Sequence, residues 1–349
     1  MKLKTQLFKE DNPHVFIIAE LSANHNQDFD IAVKTIQAIK EAGADAVKIQ
    51  TYTPETMTID CQNSYFRIKQ DTIWDGQTLY ELYKKAYTPW EWHPKLKKIA
   101  EEIGLTFFSS PFDKTSVDFL EKLNVPAYKI ASFEITDIPF IKYVASKNKM
   151  IFISTGIATY KEIEEAVQAC RQLGNDNIVV LKCTSAYPAP FKEINLKTIP
   201  DMIQKFNTIV GLSDHTLGHD VALASIALGS KVIEKHFTLD KKIKTPDASF
   251  SLDPNEFKKM VMGIRNIEKA LGSVTYTLTE KMKKGREFSR SIFVVKHIKK
   301  GDKFTEKNIR SIRPGFGLSP KKMQEIIGKR SKKDLIKGTP LNLAHLDIS

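Results

Sequence analysis

The feature that most constrains this chain is a unit that recurs from Val15 to Leu271: a short apolar strand, a polar residue or two, then a segment of helical spacing. The predicted strands are Val15–Glu20, Ala46–Gln50, Thr106–Ser110, Ala127–Ser132, Met150–Thr155, Ile178–Cys183, Thr208–Asp214 and Val232–Phe237. Between them, Ile31, Ile36, Ile39 and Ala42 mark one helical stripe, and Ile163, Ala166, Val167 and Cys170 mark another. Gly43, Gly104 and Gly174 stand where helices give way to strands. Eight β/α units over roughly 250 residues predict a (β/α)8 TIM barrel. The runner-up is a doubly wound open sheet. That fold usually carries a glycine-rich phosphate loop after its first strand, where this chain has Glu20–Leu21–Ser22–Ala23–Asn24–His25.

The pattern changes after Leu271. The expected organisation is a catalytic barrel over residues 1–271, a polar linker over 272–288 and a small domain over 289–349. The last segment predicts a strand at Ser291–Val295, tight turns at Lys300–Gly301–Asp302 and Arg313–Pro314–Gly315, and a short helix at Pro320–Ile327. Roughly sixty residues with few large apolar groups make a marginal domain, which packing on another surface would help. One insertion stands out. About forty residues separate the second strand from a helix starting near Pro89, and loops of that length usually serve as lids or binding loops. This one holds Tyr52, Tyr65, Phe66, Trp74, Tyr80, Tyr83, Tyr87 and Trp90, with a short helix expected at Gln77–Ala86.

Composition narrows the function class. Apolar residues make up 42% of the chain, enough for a globular core. No apolar run approaches a membrane span, and the opening Met1–Glu10 is polar and charged, unlike a signal peptide. A cytoplasmic protein with no membrane partner is expected. Cys61, Cys170 and Cys183 have no metal-type spacing and no disulfide framework. The formal charge of +12 is mostly lysine, concentrated toward the C-terminus. Nucleic-acid binding or steering of small anions would explain it, but a solvated lysine surface accounts for most of it, and no nucleic-acid partner is expected.

The chemistry gathers at strand ends. In Thr208–Thr216, alternation puts Ile209, Gly211, Ser213 and His215 on one face; in the next strand it aligns Val232, Glu234 and His236. Two neighbouring parallel strands thus each deliver a histidine at the carboxyl end, where barrels gather ligands. Each histidine alone reads as a hydrogen-bonded core residue. As a pair they suit a divalent metal with most of its coordination sphere open. Lys48 and Lys129 fall inside predicted buried strands and need an anion, either an internal carboxylate or a bound phosphate or carboxylate. Ser109, Ser110, Ser132, Ser154, Thr155, Lys182, Thr184, Ser185 and Ser213 add donors at neighbouring strand ends. Together these favour a phosphate-carrying substrate. A metal would polarise a carbonyl, lysines and serines would clamp the anion, and a carboxylate such as Glu20 would move a proton.

The strand-end motifs resemble the sialic acid synthase family. They are Ile18-Ala19-Glu20-Leu21-Ser22-Ala23-Asn24-His25, Ala46-Val47-Lys48-Ile49-Gln50, Tyr128-Lys129-Ile130-Ala131-Ser132, Ile153-Ser154-Thr155-Gly156, Cys183-Thr184-Ser185-Ala186-Tyr187-Pro188, Gly211-Leu212-Ser213-Asp214-His215-Thr216, Val232-Ile233-Glu234-Lys235-His236-Phe237 and Arg313-Pro314-Gly315. They run in family order over nearly the whole chain. The resemblance implies condensation of phosphoenolpyruvate with an N-acetylated sugar to a nine-carbon 2-keto acid and phosphate. It implies a divalent cofactor, Mn2+ or else Mg2+ or Co2+, on His215 and His236. Lys48, Lys129, Ser132, Ser154 and Ser213, with Ser110 nearby, match positions that hold phosphoenolpyruvate. Glu20 matches a proton-transfer carboxylate, and Gln50, Glu134, Tyr187 and Asp247 match the sugar side. The last residues resemble the family's antifreeze-protein-like (SAF) domain. The family's domain-swapped homodimer would bring Arg313 into the barrel of a second copy.

Ser185 departs from the Asn that N-acetylneuraminate synthases commonly carry. The segments Trp74-Asp75-Gly76-Gln77-Thr78-Leu79-Tyr80 and Tyr87-Thr88-Pro89-Trp90-Glu91-Trp92-His93 look more like the pseudaminic acid synthase branch, associated with flagellin glycosylation. Its substrate is 2,4-diacetamido-2,4,6-trideoxy-L-altrose, whose methyl group aromatic side chains can cover. Alternatives are an N-acetylneuraminate or legionaminate synthase, and, in another class, a polyanion-binding protein with an inactive barrel. Among other polar residues, Glu234 reads equally as a neighbour of the metal site or as the partner of a buried lysine. Asp214 reads as a loop anchor, His25 leans toward the site, and His219 reads as a cap or surface residue. His14, His93, His297 and His345 carry no expected catalytic role.

Overall fold

Period-two patterning along eight short strands closes a barrel with helices outside it. The computed structural model describes residues 14–69 and 74–347; the polar opening Met1–Glu10 lies outside them. The strands are β1 (Phe16–Glu20), β2 (Ala46–Thr51), β3 (Thr106–Pro111), β4 (Ala127–Ile130), β5 (Met150–Ser154), β6 (Ile178–Cys183), β7 (Ile209–Asp214) and β8 (Val232–His236). They pair in parallel in sequence order, and β8 returns to β1 to close the ring. The expected barrel is what forms, with strand ends shifted by one or two residues. The largest shift is in the fourth strand, which stops at Ile130 because Ser132–Glu134 coils into a 3-10 turn.

Inward residues fill the barrel axis. Phe16, Ile18, Ala46, Phe108, Ala127, Met150, Phe152, Val179, Leu181 and Val232 form one buried cluster, with Phe152 stacked on Phe108 at 5.2 Å. Outward residues such as Ile17, Val47, Phe107, Ile151 and Ile233 join the larger core against the helices. Gly211 is the point of closest approach. A Cβ there would lie 2.5 Å from the Val232 carbonyl oxygen and 2.8 Å from Leu181. Gly43, Gly104 and Gly174 take positive φ at helix exits as expected, and Asn124, Asn148 and Asn207 do the same, a conformation asparagine tolerates.

The insertion after β2 carries a helix at Leu79–Ala86, set by a capping box between Thr78 and Glu81, and leads into His93–Glu102. Several of its aromatics pack locally. Tyr52 meets Tyr83 and Phe112 edge-on, and Trp90 stacks on Phe119. Among the described residues, no helix is long and apolar enough to cross a membrane.

The chain divides into two compact units after Gly272. The second carries a helix at Glu280–Gly285, within the polar linker expected over 272–288. It pairs β9 (Ser291–Val294) antiparallel with β10 (Ile309–Ile312). Its core is fuller than its composition suggests, because Ile292, Val294, Ile298, Phe304, Ile309, Ile326, Leu335, Leu341 and Leu346 are all buried in one cluster.

Candidate active site

The alternation that packs Phe16, Ile18 and Phe152 at the barrel waist delivers Glu20, Lys48, Ser110, Lys129, Ser154, Ser213, Glu234 and His236 to its carboxyl mouth. All eight are buried. Glu20 is the register neighbour of Lys48 on one side and of His236 on the other. Half-buried Gln50 is paired in register with Ser110.

Four of these groups form a charge-balanced quartet. Lys48 Nζ lies 2.5 Å from Glu20 Oε2 and 3.8 Å from Glu234 Oε2, and Lys129 Nζ lies 3.3 Å from Glu234 Oε1. The buried lysines are therefore neutralised by internal carboxylates, the first of the two anion sources open at the sequence level. Glu234 is the partner of both lysines, and Ser213 Oγ also donates to its Oε1 at 2.9 Å. Lys48 Nζ donates to Ser110 Oγ at 3.3 Å.

The two carboxyls differ in acidity. Burial raises Glu20 to about 7, and the nearby Glu234 charge adds to that against the pull of Lys48. Burial alone would also raise Glu234, but Lys129 and Lys48 hold it at about 2. One carboxylate is permanently charged and the other is poised to titrate near neutrality, the pairing that separates acid–base roles. Glu20 Oε1 has no hydrogen-bond partner.

The two imidazoles converge. The His215 and His236 rings are 5.3 Å apart between centroids. His215 Nδ1 is 3.1 Å from the Thr184 carbonyl oxygen. It donates there, so in the neutral ring Nε2 keeps its lone pair. His236 is pushed well below the usual histidine range by burial, then by His215 and the nearby lysines, so its ring is neutral. Its buried Nδ1 has no hydrogen-bond partner, and Asp247 Oδ2 stands 3.7 Å away. Among the described residues, no three or more His, Cys, Asp or Glu side chains are grouped to hold a metal ion. Burial would lower His215, but Cys183 and the Thr184 carbonyl raise it. The two buried rings nevertheless fit a divalent ion, which would take their unprotonated nitrogens and leave its other positions to substrate or water.

Beside the quartet lies a cradle of hydroxyls. Gly156 N–H donates to Ser132 Oγ at 3.1 Å, and the buried Ser154 Oγ has no partner. A Cβ at Gly156 would sit 2.0 Å from Ser185 Oγ and 2.8 Å from Ser132 Oγ, so the hydroxyls close in where this residue has no side chain. Glu134, on the 3-10 turn after β4, is raised to about 7 by burial, and its Oε2 is buried without a hydrogen bond.

An aromatic wall rises on the histidine side. The Tyr187 ring is 4.4 Å from His215, Phe250 is 5.0 Å from His236, and Trp74 of the insertion is 5.7 Å from Tyr187. Sequence reading did not single out Phe250, which lies in the loop segment after β8 and shows no pattern. It also passed over Cys183. Cys183 Sγ is 3.7 Å from His215 Nδ1 and 3.6 Å from Ser132 Oγ. Burial would raise this thiol, and His215, Ser132 and Lys129 together bring it down to about 7. Its place two residues after inward-facing Leu181 was the available signal.

Other polar strand-end residues face away. Ser109 bonds Thr51 and the Ile49 carbonyl outside the barrel, and Lys182 turns back to the Cys183 carbonyl and Thr184. His25 does not join the mouth: its Nε2 pairs with Thr88 and its Nδ1 accepts from Gln27 N–H, so it caps the loop after β1. His93 pairs with Thr51 Oγ1. Asp214 anchors its loop as expected, accepting from Thr216 and pairing with Lys235 at 2.7 Å. Arg313 belongs to the second unit.

Comparison with known proteins bears on this geometry. Residues 35–276 match the model of the NeuB family, and residues 289–347 match the SAF domain. The chain is 48% identical to a pseudaminic acid synthase of Campylobacter jejuni, over 94% of this chain and 95% of that one. It is 46% identical to a pseudaminic acid synthase of Helicobacter pylori, over 95% and 98%. Among solved structures, it resembles an N-acetylneuraminic acid (sialic acid) synthetase of Leptospira borgpetersenii in complex with citrate, at 29% identity and a TM-score of 0.70, covering 78% of this chain and 90% of that one.

Proposed function

Because this chain belongs to the NeuB family of sialic acid synthases, we propose that it is a metal-dependent enzyme condensing phosphoenolpyruvate with 2,4-diacetamido-2,4,6-trideoxy-L-altrose to give pseudaminic acid and inorganic phosphate. The observation that carries the reading is the convergence of two buried imidazoles and a lysine–carboxylate quartet on one barrel mouth.

Lys129 and Lys48 exchange internal carboxylates for those of the substrate's phosphate and carboxylate, a charge-assisted clamp that also fixes orientation. Ser132, Ser154, Ser213 and Ser110 supply hydroxyls beside it, with Ser185 at the edge. Gln50, Glu134, Tyr187 and Asp247 line the sugar side. His215 and His236 would hold the divalent ion, Mn2+ or else Mg2+ or Co2+, which supplies Lewis-acid polarisation of the open-chain aldehyde. C3 of phosphoenolpyruvate bonds to the aldehyde carbon, the carbonyl π pair moves onto the aldehyde oxygen, which is protonated to a hydroxyl, and C2 is left electron-poor. Water adds at C2, and Glu20 Oε1 takes its proton. The tetrahedral carbon then expels phosphate by C–O cleavage, leaving the 2-keto acid.

The SAF unit of one copy serves the barrel of another in a domain-swapped homodimer, through Arg313. The test supplies phosphoenolpyruvate with each candidate sugar and follows phosphate release. Strong preference for the diacetamido sugar is expected. Preference for N-acetylmannosamine would move the assignment to an N-acetylneuraminate synthase. No metal-dependent turnover with any sugar would reject the enzyme.

A further inference from the structure

A second cavity, of about 730 Å3, shares a wall with the barrel mouth. Trp74 lines it and also stands against Tyr187, whose ring touches His215. The segment after β8 does the same: Thr245 and Ser249 line the cavity, while Asp247 and Phe250 from that segment face His236. Thr245 Oγ1 also bonds Asn24 Oδ1, tying this wall to the loop after β1. The cavity thus lies outward from the two histidines, with Trp74 and Tyr187 between it and His215. Its volume suits a small-molecule subsite.

The lining chemistry is specific. Asn26, Gln27, Gln77, Thr245 and Ser249 offer amides and hydroxyls, each able to donate and accept, and among the described residues no carboxylate lines the space. The Asn26 and Ser249 side chains make no hydrogen bond among the described residues, whereas Gln27 and Gln77 are already tied to the Leu79–Ala86 helix and its exit. Trp74 adds an apolar face. A neutral group with one carbonyl, one N–H and one methyl matches such a lining: carbonyl and N–H to amide and hydroxyl, methyl to indole. Lys84, Lys85 and Lys244 complete the rim and are exposed, so an anion there would be held in water.

We propose that this cavity receives the substrate's acetamido group farther from the aldehyde, and that Trp74 and Asn26 select diacetamido over monoacetamido sugars. The proposal rests on the functional reading above. With the aldehyde at the histidines, the second acetamido group stands on the carbon three along the sugar, away from the reacting carbon.

The experiment measures kcat/KM for the diacetamido sugar and for N-acetylmannosamine in the full-length wild type, Trp74→Ala and Asn26→Gly. Glycine is chosen because Asn26 has φ of +50°, where glycine is unstrained. Both variants should lose about tenfold in the ratio of the two constants, the scale of a lost pocket contact, with KM for phosphoenolpyruvate within about twofold of wild type. An unchanged ratio in Asn26→Gly would overturn the assignment, because its backbone is undisturbed. A rise in KM for phosphoenolpyruvate in place of the ratio change would assign the cavity to an anion. A wild type that turns over neither sugar would instead reject the functional reading.

Discussion

Glu20 and Glu234 sit on adjacent strands of one mouth, yet one is raised to about 7 and the other held at about 2. Below pH 7 Glu20 is mostly protonated and cannot take a proton from water; above it, Glu20 can. Turnover should therefore fall as pH drops through about 7, and Glu20→Gln should be slower by a factor on the order of 10²–10⁴ and lack that limb. A limb that persists in Glu20→Gln would assign it to another group. Lys129 is tested by a split in kinetic constants. Lys129→Ala should raise KM for phosphoenolpyruvate far more than KM for the sugar. It also strips Glu234 of its nearest cation, and breaking a buried pair costs about 3–5 kcal/mol, so unfolding must be measured alongside. Near-normal turnover would end its assigned role. For His236→Ala, activity should vanish; added Mn2+ should raise the thermal midpoint of wild type but not of this variant.

At the scale of elements, the barrel waist leaves little room. Gly211 on β7 meets the Val232 backbone and the Leu181 side chain of its two neighbouring strands. Gly211→Ala should destabilise the protein by about 1–3 kcal/mol in urea unfolding, the cost of overpacking a tight core. Gly174 is the contrast. It has open space around its Cβ position but a φ of +75°, so Gly174→Ala should cost only about 1 kcal/mol, from backbone strain alone. Equal losses at both sites would mean that the waist relaxes. The same strands explain the site's legibility. Period two is intrinsic to extended chain, so the inward placement of Lys48, Lys129, Glu234 and His236 could be read from spacing. His25 could not be placed that way, because it lies in a loop with no such period.

At the scale of the whole molecule, charge is divided unevenly. Residues 273–349 hold 19 Lys and Arg against 7 Asp and Glu, a net +12 equal to the formal charge of the entire chain, so the barrel unit is neutral overall. A basic unit that serves a second copy's barrel would draw an anionic substrate toward it. Mixing subunits tests this arrangement. Equal amounts of Arg313→Ala and His236→Ala chains, each inactive alone, should recover about a quarter of the wild-type sites if random exchange forms heterodimers. No recovery after confirmed exchange would show that each barrel works with its own Arg313.

The barrel, its strand boundaries within one or two residues and the inward set of site side chains were determined by local chemistry: apolar periodicity, helix stops and strand-end polarity act over a few neighbours. Motif order carried the family. Tertiary structure alone decided which groups meet. The pairing of Lys129 with Glu234 spans strands β4 and β8, and the approach of Cys183 to His215 spans 32 residues. Trp74 reaches Tyr187 from an insertion with no period of its own. Acidity belongs to the same class. Glu20 and Glu234 are identical as residues, and only the burial and the cations gathered by barrel closure drive their protonation apart.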